Sequence, residues 1–191
     1  MDLHLVQALN GFFAAHDSIE DPVVAYEQIA QILFVGILVL LFFAVRGNRR
    51  GDAGRAAVSA GAATALALVA GAVISHLVDR SRPFVADPTG VHMFVKHVAD
   101  AGFPSDHATA SFAIATAVML RDRRWGAIVM TLAVVLAVGR VAMAVHYPTD
   151  VLAGAALGAL SALLLWTAPA RRRLDTLADW IGGIRDLVER R

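Results

Sequence analysis

The chain has 191 residues, 58% of them hydrophobic, with a mean hydropathy of +0.62, a formal net charge of +1 and no cysteine. This balance offers nucleic acid no global charge to bind, and the lack of cysteine excludes disulfides, thiolate catalysis and cysteine-bound metal. The apolar residues fall in blocks of membrane-span length, so the sequence predicts an all-α polytopic membrane helix bundle in one domain.

Residues 1–21 place Leu3, Val6, Leu9, Phe12 and Phe13 at helical spacing but interleave His4, Asn10 and His16. They read as an amphipathic helix lying in the interface, with a helix packed on the bundle as the alternative. No Lys or Arg precedes Arg46, so no secretory signal is expected. The transmembrane core is expected over 22–170, with its first span at 29–45. Glu27 at the edge of that span is either an intramembrane functional group or a headgroup-facing carboxylate, and its place near the end favours the second. A basic loop covers 46–52. The second span, 56–77, is rich in Ala, Gly and Val, which permit close helix approach in lipid.

A long polar loop follows over 79–103. Pro104 and Ser105 start a third helix that is apolar over 108–120. A basic turn at 121–124 leads to the fourth span, 125–145, interrupted near its end by Arg140. After a short turn at 146–150 the fifth span occupies 151–168. The tail, 171–191, sets Leu174, Leu177, Trp180, Ile181, Ile184, Leu187 and Val188 on one face and is an amphipathic surface helix.

Five spans put the basic segments 46–55, 121–124 and 171–191 on one side, which the positive-inside rule makes cytoplasmic. The N-terminus, the 78–107 loop and the 145–150 turn then face outward. Arg80, Arg82, Lys96 and Arg140 run against that rule. Phosphate binding is a reason for them to be there.

Three outward segments carry polar residues suited to one chemistry: 79–84, 104–107 and 139–150. Arg82 and Arg140 can hold phosphate oxygens bidentately. Ser105 and the N–H groups of the following helix turn can complete an anion cradle. His146 is a candidate nucleophile, because a neutral imidazole forms a phosphohistidine without a metal. Asp150, four residues on, can orient its other ring nitrogen, and His107 can protonate a leaving oxygen. Taken singly, each residue has a plainer reading as a cap, a snorkelling arginine or a dipole partner. Their joint order, spacing and sidedness favour the site. His92 and His97 flank Lys96 and suggest a metal only weakly; a solvated or headgroup-facing loop is the preferred reading.

These segments resemble the type-2 phosphatidic-acid phosphatase superfamily of membrane lipid phosphatases, whose signature is K-x6-R-P, P-S-G-H and S-R-x5-H-x3-D. Arg82-Pro83 matches the first part. Pro104-Ser105-Asp106-His107 matches the second, with Asp106 for glycine. Arg140, His146 and Asp150 match the third, with Gly139 for serine. The resemblance implies His146 as nucleophile, Asp150 as its partner, His107 as acid, and Arg82, Ser105 and Arg140 as phosphate ligands, with no metal and no cofactor. The family lysine falls at Ser75, and Arg80, then Lys96, are the candidates to replace it.

The P-S-D-H variant and Arg-Ser-Arg-Pro-Phe further resemble the BcrC-like branch, undecaprenyl-diphosphate phosphatases of the bacterial cytoplasmic membrane. That branch implies an outward-facing site that releases the terminal phosphate of the lipid carrier. The carrier is thereby recycled for peptidoglycan synthesis, and bacitracin resistance can follow. The implied partners are a prenyl or phospholipid phosphate and the bilayer, with no nucleic acid. The alternatives are a broader lipid phosphatase, acting on phosphatidylglycerol phosphate or phosphatidic acid, and a non-enzymatic phospholipid-binding or transport protein.

Overall fold

The computed structural model of the chain describes residues 1–43 and 50–189. Among them the regular structure is helical: α1 (Asp2–Ala14), α2 (Asp17–Phe43), α3 (Arg50–Val78), α4 (Pro83–Ala86), α5 (Asp106–Arg121), α6 (Arg123–Ala142), α7 (Pro148–Leu165) and α8 (Ala168–Glu189). Four stretches, Asp17–Phe43, Gly51–Ala86, Arg123–Ala142 and Pro148–Leu165, are long and apolar enough to cross a membrane. The expected all-α membrane bundle is therefore the fold. Its fifth helix, α5, has 16 residues and runs inside the bundle against α3, α6 and α7.

Large apolar side chains such as Ile32, Val69, Leu77, Leu152 and Leu160 face outward, while the interior is built on Ala30, Ala60, Ala63, Ala67, Ala113 and Ala117. This inversion suits a lipid solvent, in which helices gain nothing by hiding leucine and associate through small residues. Helices α5 and α7 approach closely. A Cβ at Gly154 would lie 2.6 Å from the Ser105 carbonyl oxygen and 2.9 Å from Thr109 Oγ1. One at Gly158 would lie 2.8 Å from Ala113 N and nearer still to the Thr109 carbonyl. The pair forms a small-xxx-small face that lets two backbones touch.

Several helix bounds differ from the expectation. The first span begins at Asp17, with Pro22 inside its second turn, because Tyr26 and Glu27 pack against α6 instead of facing water. Tyr26 Oη donates to the Leu132 carbonyl at 2.8 Å. Glu27 is 6% exposed, so the headgroup-facing reading of this carboxylate is corrected to a buried one. The fourth span stops at Ala142, just past Arg140, and the fifth starts at Pro148, whose missing N–H costs nothing at a helix start. Arg46 and Arg49 of the expected basic loop lie outside the described residues.

At one end of the bundle, α8 lies across the basic segments. Arg55 of α3 pairs with Asp179 through two hydrogen bonds of 2.9 and 2.8 Å. Arg121 pairs with Asp175, and the Arg121 and Arg171 guanidinium groups both sit over the Trp166 ring. Leu177 and Trp180 on α8 stay exposed. The opposite end is closed by α1 and the 79–105 loop. Buried Asn10 of α1 donates to the Ala142 carbonyl at 2.7 Å and the His92 carbonyl at 2.9 Å, and accepts from the His92 N–H at 2.7 Å. Of the two readings open for the first helix, packing on the bundle is the one seen.

Gly158→Ala should lower stability by about 1–3 kcal/mol, since its methyl group meets backbone that cannot turn aside. Gly61→Ala is the control, because nothing lies within 4 Å of its Cβ position. Thermal unfolding in detergent checks this. An unchanged midpoint for Gly158→Ala would contradict so close an α5–α7 contact.

Candidate active site

The end closed by α1 brings the three sequence segments together. In the first, Arg82 caps the short helix α4, with Pro83 at its first position. In the second, Ser105 is the N-cap of α5: its Oγ accepts from the Ala108 N–H at 3.4 Å. The third is the turn from α6 to α7. It needs a left-handed residue, Ala144 at φ 55°, which folds the chain back on itself. That conformation costs an L-residue about 1–2 kcal/mol, and buried surroundings hold it: the Ala144 carbonyl accepts from the Phe84 N–H at 3.2 Å. The second and third segments are joined directly, because the Ser105 N–H donates to the Asp150 carbonyl at 3.1 Å.

His146, within this turn, is 2% exposed. Its Nδ1 lies 2.8 Å from the Gly102 carbonyl oxygen. A carbonyl only accepts, so Nδ1 carries the proton and Nε2 presents its lone pair. Arg82 NH1 donates to that Nε2 at 3.1 Å and to the Val145 carbonyl at 3.0 Å, while Arg82 Nε donates to Asp100 Oδ1 at 2.7 Å. Nε2 is thus turned toward a guanidinium. Gly102 makes room for this, since a Cβ there would come within 3.1 Å of Arg82 Cγ.

Asp150 is fully buried. Its Oδ1 accepts from Arg80 at 2.7 Å, its Oδ2 from the Tyr147 N–H at 2.8 Å. The distance from Asp150 Oδ2 to His146 Nδ1 is 3.8 Å, an ion-pair distance and too long for a hydrogen bond. The expectation that Asp150 orients the ring directly is therefore modified: the Gly102 carbonyl orients it, and Asp150 adds negative charge nearby. Sequence reasoning missed this carbonyl, because a backbone acceptor leaves no residue-type signal.

Arg80 is heavily engaged by protein. It bonds Asp150, the Thr149 hydroxyl at 2.6 Å and Asp2 of α1 at 3.1 Å, and lies over the Tyr147 ring at 3.9 Å. Ser75, where the family lysine is expected, lines a recess with His76, Asp79, Asp100 and Asp106. Neither Arg80 nor exposed Lys96 lines it. Arg140 is buried near the end of α6 and donates through NH1 to Glu27 Oε2 at 3.0 Å. Half-buried His107 lies in the first turn of α5, with the Arg140 and Arg82 guanidinium charges bearing on it.

Two further residues join the site. His97 Nε2 stands 3.5 Å from Arg140 NH1, so the solvated reading of this histidine is corrected, whereas His92 does stay exposed. Burial, helped by the Arg140 and Arg82 charges, holds the His97 imidazole below its ordinary pKa. Asp100 pairs with Arg82; burial raises its pKa, but the Arg82 bond and charge outweigh that and lower it. Among the described residues, no three His, Asp or Glu side chains converge as a metal site requires.

The PAP2 superfamily model matches residues 56–174, which hold all three segments. The chain belongs to the PAP2 superfamily. Among its PAP2 relatives, Escherichia coli YbjG is 38% identical over 62% of this chain and 61% of its own length. The bacitracin transport permease protein BcrC of Bacillus licheniformis is 34% identical over 80% and 73%, and undecaprenyl-diphosphatase BcrC of Bacillus subtilis 29% over 80% and 76%. The crystal structure of Aquifex aeolicus LpxE superposes with a TM-score of 0.69 at 20% identity, covering 85% of this chain and 93% of that one. That likeness bears on the PAP2 fold alone. The family resemblance read from the motifs is borne out.

Burial, partly opposed by Asp150 and reinforced by Arg140 and Arg82, pushes the His146 imidazole from 6.5 down to about 4. The ring is then neutral when folded but charges near its ordinary value when unfolded. Its contribution to stability is present above pH 6.5 and lost as pH falls toward about 4. The melting temperature of the wild type should fall more steeply across that window than that of His146→Gln. Parallel profiles would show that the ring titrates alike in both states.

Proposed function

We propose that this PAP2 protein is a membrane phosphatase that hydrolyses the terminal phosphate of undecaprenyl diphosphate through a phosphohistidine on His146. The carrying observation is the His146 Nε2 lone pair directed at the Arg82 guanidinium, with Nδ1 fixed by the Gly102 carbonyl. A neutral imidazole beside a fork that binds phosphate oxygens is the arrangement needed for attack on phosphorus.

In the first half-reaction Nε2 bonds to the terminal phosphorus and the bridging P–O bond breaks. His107 gives its proton to the departing lipid monophosphate. A diphosphate brings negative charge next to Arg82 and Arg140 and so favours the proton that His107 must carry. The phosphorylated ring is cationic, and Asp150 at 3.8 Å offsets that charge. In the second half-reaction water attacks phosphorus, the N–P bond breaks, and His107 takes the proton. Arg82 and Arg140, with Ser105 and the first turn of α5, hold the equatorial oxygens throughout.

The outward-facing, carrier-recycling assignment is supported by the arginine-rich opposite end and by the names of the Bacillus relatives. The first follows the positive-inside rule. A second reading, a different polyprenyl-phosphate substrate, is favoured by another relative, the decaprenylphosphoryl-5-phosphoribose phosphatase of Mycobacterium tuberculosis, 33% identical over 69% of this chain and 64% of its own length.

Purified protein in detergent should release phosphate from undecaprenyl diphosphate faster than from phosphatidic acid, with and without EDTA. His146→Ala should lose at least about a thousandfold in kcat, the scale at which a nucleophile is removed from an intact binding site. Full activity in His146→Ala would sink the covalent mechanism. Restoration of an EDTA-treated sample by one divalent ion would require a metal in it. Preference for another lipid would move the substrate assignment.

A further inference from the structure

Glu27 reaches the site from α2, a helix that carries none of the motif residues. Its side chain and that of Arg140 are 2% and 4% exposed and are joined by one bond of 3.0 Å, from Arg140 NH1 to Glu27 Oε2. Among the described residues two atoms of this pair are buried without a partner: Glu27 Oε1 and Arg140 Nε. Among the described residues Arg140 NH2 has no partner either. Buried polar atoms are nearly always bonded, so an orphaned one needs an explanation. Here the guanidinium is held at one corner, and its Nε–NH2 edge, which has the spacing of a bidentate fork, is left unbonded by protein.

The neighbouring residue fits the same arrangement. A Cβ at Gly139 would lie 2.8 Å from Glu27 Oε1 and 3.2 Å from Val23 Cγ1. Position 139 is where the resembled motif has serine, and in this chain the carboxylate from α2 fills that space. The Tyr26–Leu132 hydrogen bond fixes α2 against α6 beside it.

We propose that Glu27 is a positioning residue for Arg140: it holds NH1 so that the Nε–NH2 edge meets a phosphate oxygen, and Gly139 gives it the room to do so. The inference rests on the reading of this end as a phosphate site and adds to it a residue from outside the three motifs. Two effects oppose each other. The carboxylate repels a bound phosphate, but it sits at the corner of the guanidinium away from the free edge, so the cation stands between the two anions. Without its anchor, a long cationic side chain at an apolar bundle end turns toward water or headgroups. Orientation outweighs repulsion.

The test is calorimetric binding of inorganic phosphate to the purified full chain, alongside turnover of undecaprenyl diphosphate. Glu27→Gln should weaken phosphate about tenfold, the worth of one charge-assisted hydrogen bond, and raise KM more than it lowers kcat. Glu27→Asp, which keeps the charge, should recover part of the loss. Added to Arg140→Ala, Glu27→Gln should cost nothing more, because it acts through that arginine. Unchanged phosphate affinity in folded Glu27→Gln, a loss that persists on top of Arg140→Ala, or a wild type that binds no phosphate overturns the proposal. If Glu27→Gln does not fold, Gly139→Ser displaces the carboxylate with both charges kept, and should weaken phosphate likewise; unaltered affinity there overturns it as well. A wild type that binds phosphate but releases none from any lipid refutes the proposed hydrolysis, and phosphate affinity alone then decides the role of Glu27.

Discussion

The contact of α5 with α7 through bare backbone is the constraint on which the site depends. Gly154 and Gly158 remove the side chains that would hold the two helices apart. The helices run in the same direction, so their starts arrive side by side, and the Ser105–Asp150 backbone bond fixes their offset. Two helix N-termini then face one spot. Each carries a partial positive charge that adds to the arginines around them. In a wider bundle His107 and His146 would lie on separate surfaces.

The second organising feature is how the charges are compensated. Three arginines near an apolar interior meet carboxylates: Arg80 with Asp150 and Asp2, Arg82 with Asp100 and Arg140 with Glu27. Buried charge is tolerated only when paired. The three arginines nevertheless differ. Arg80 bonds through both terminal nitrogens and belongs to the scaffold that joins α1 to α7. Arg82 divides its donors between Asp100, the Val145 carbonyl and the imidazole. Arg140 keeps a free edge. The arginines that share a sequence neighbourhood thus have unequal capacity for an incoming anion.

Much of this was legible in the sequence. Apolar blocks gave the helices, and arginine placement put the basic segments at one end; that α8 pairs with Arg55 and Arg121 there is seen only in the structure. The motif residues Arg82, Ser105, His107, Arg140, His146 and Asp150 do converge. What escaped were contacts with no periodic or motif signature. Glu27 sits near the end of an apolar run, where a carboxylate ordinarily meets water, and only the packing of α2 on α6 buries it. His97 lies in an irregular loop, where hydropathy says nothing about direction. The Gly102 carbonyl is invisible in any residue list. Arg80 was a reasonable substitute for a lost lysine by distance along the chain, but a fully buried Asp150 close by claims it.

The modest length of α5 has a consequence for depth. Sixteen residues rise about 24 Å, against roughly 30 Å of hydrocarbon. Its last residue, Arg121, is tied to the arginine-rich surface through Asp175 and Trp166. Set upright in a bilayer with Arg121 at one boundary, such a helix would begin about one turn short of the other. On the proposed reading, a phosphate at Ser105 and His107 would then lie beneath the headgroup layer, where ions are disfavoured. The protein would act there as a local dent in the membrane, made habitable for an anion by its compensated arginines.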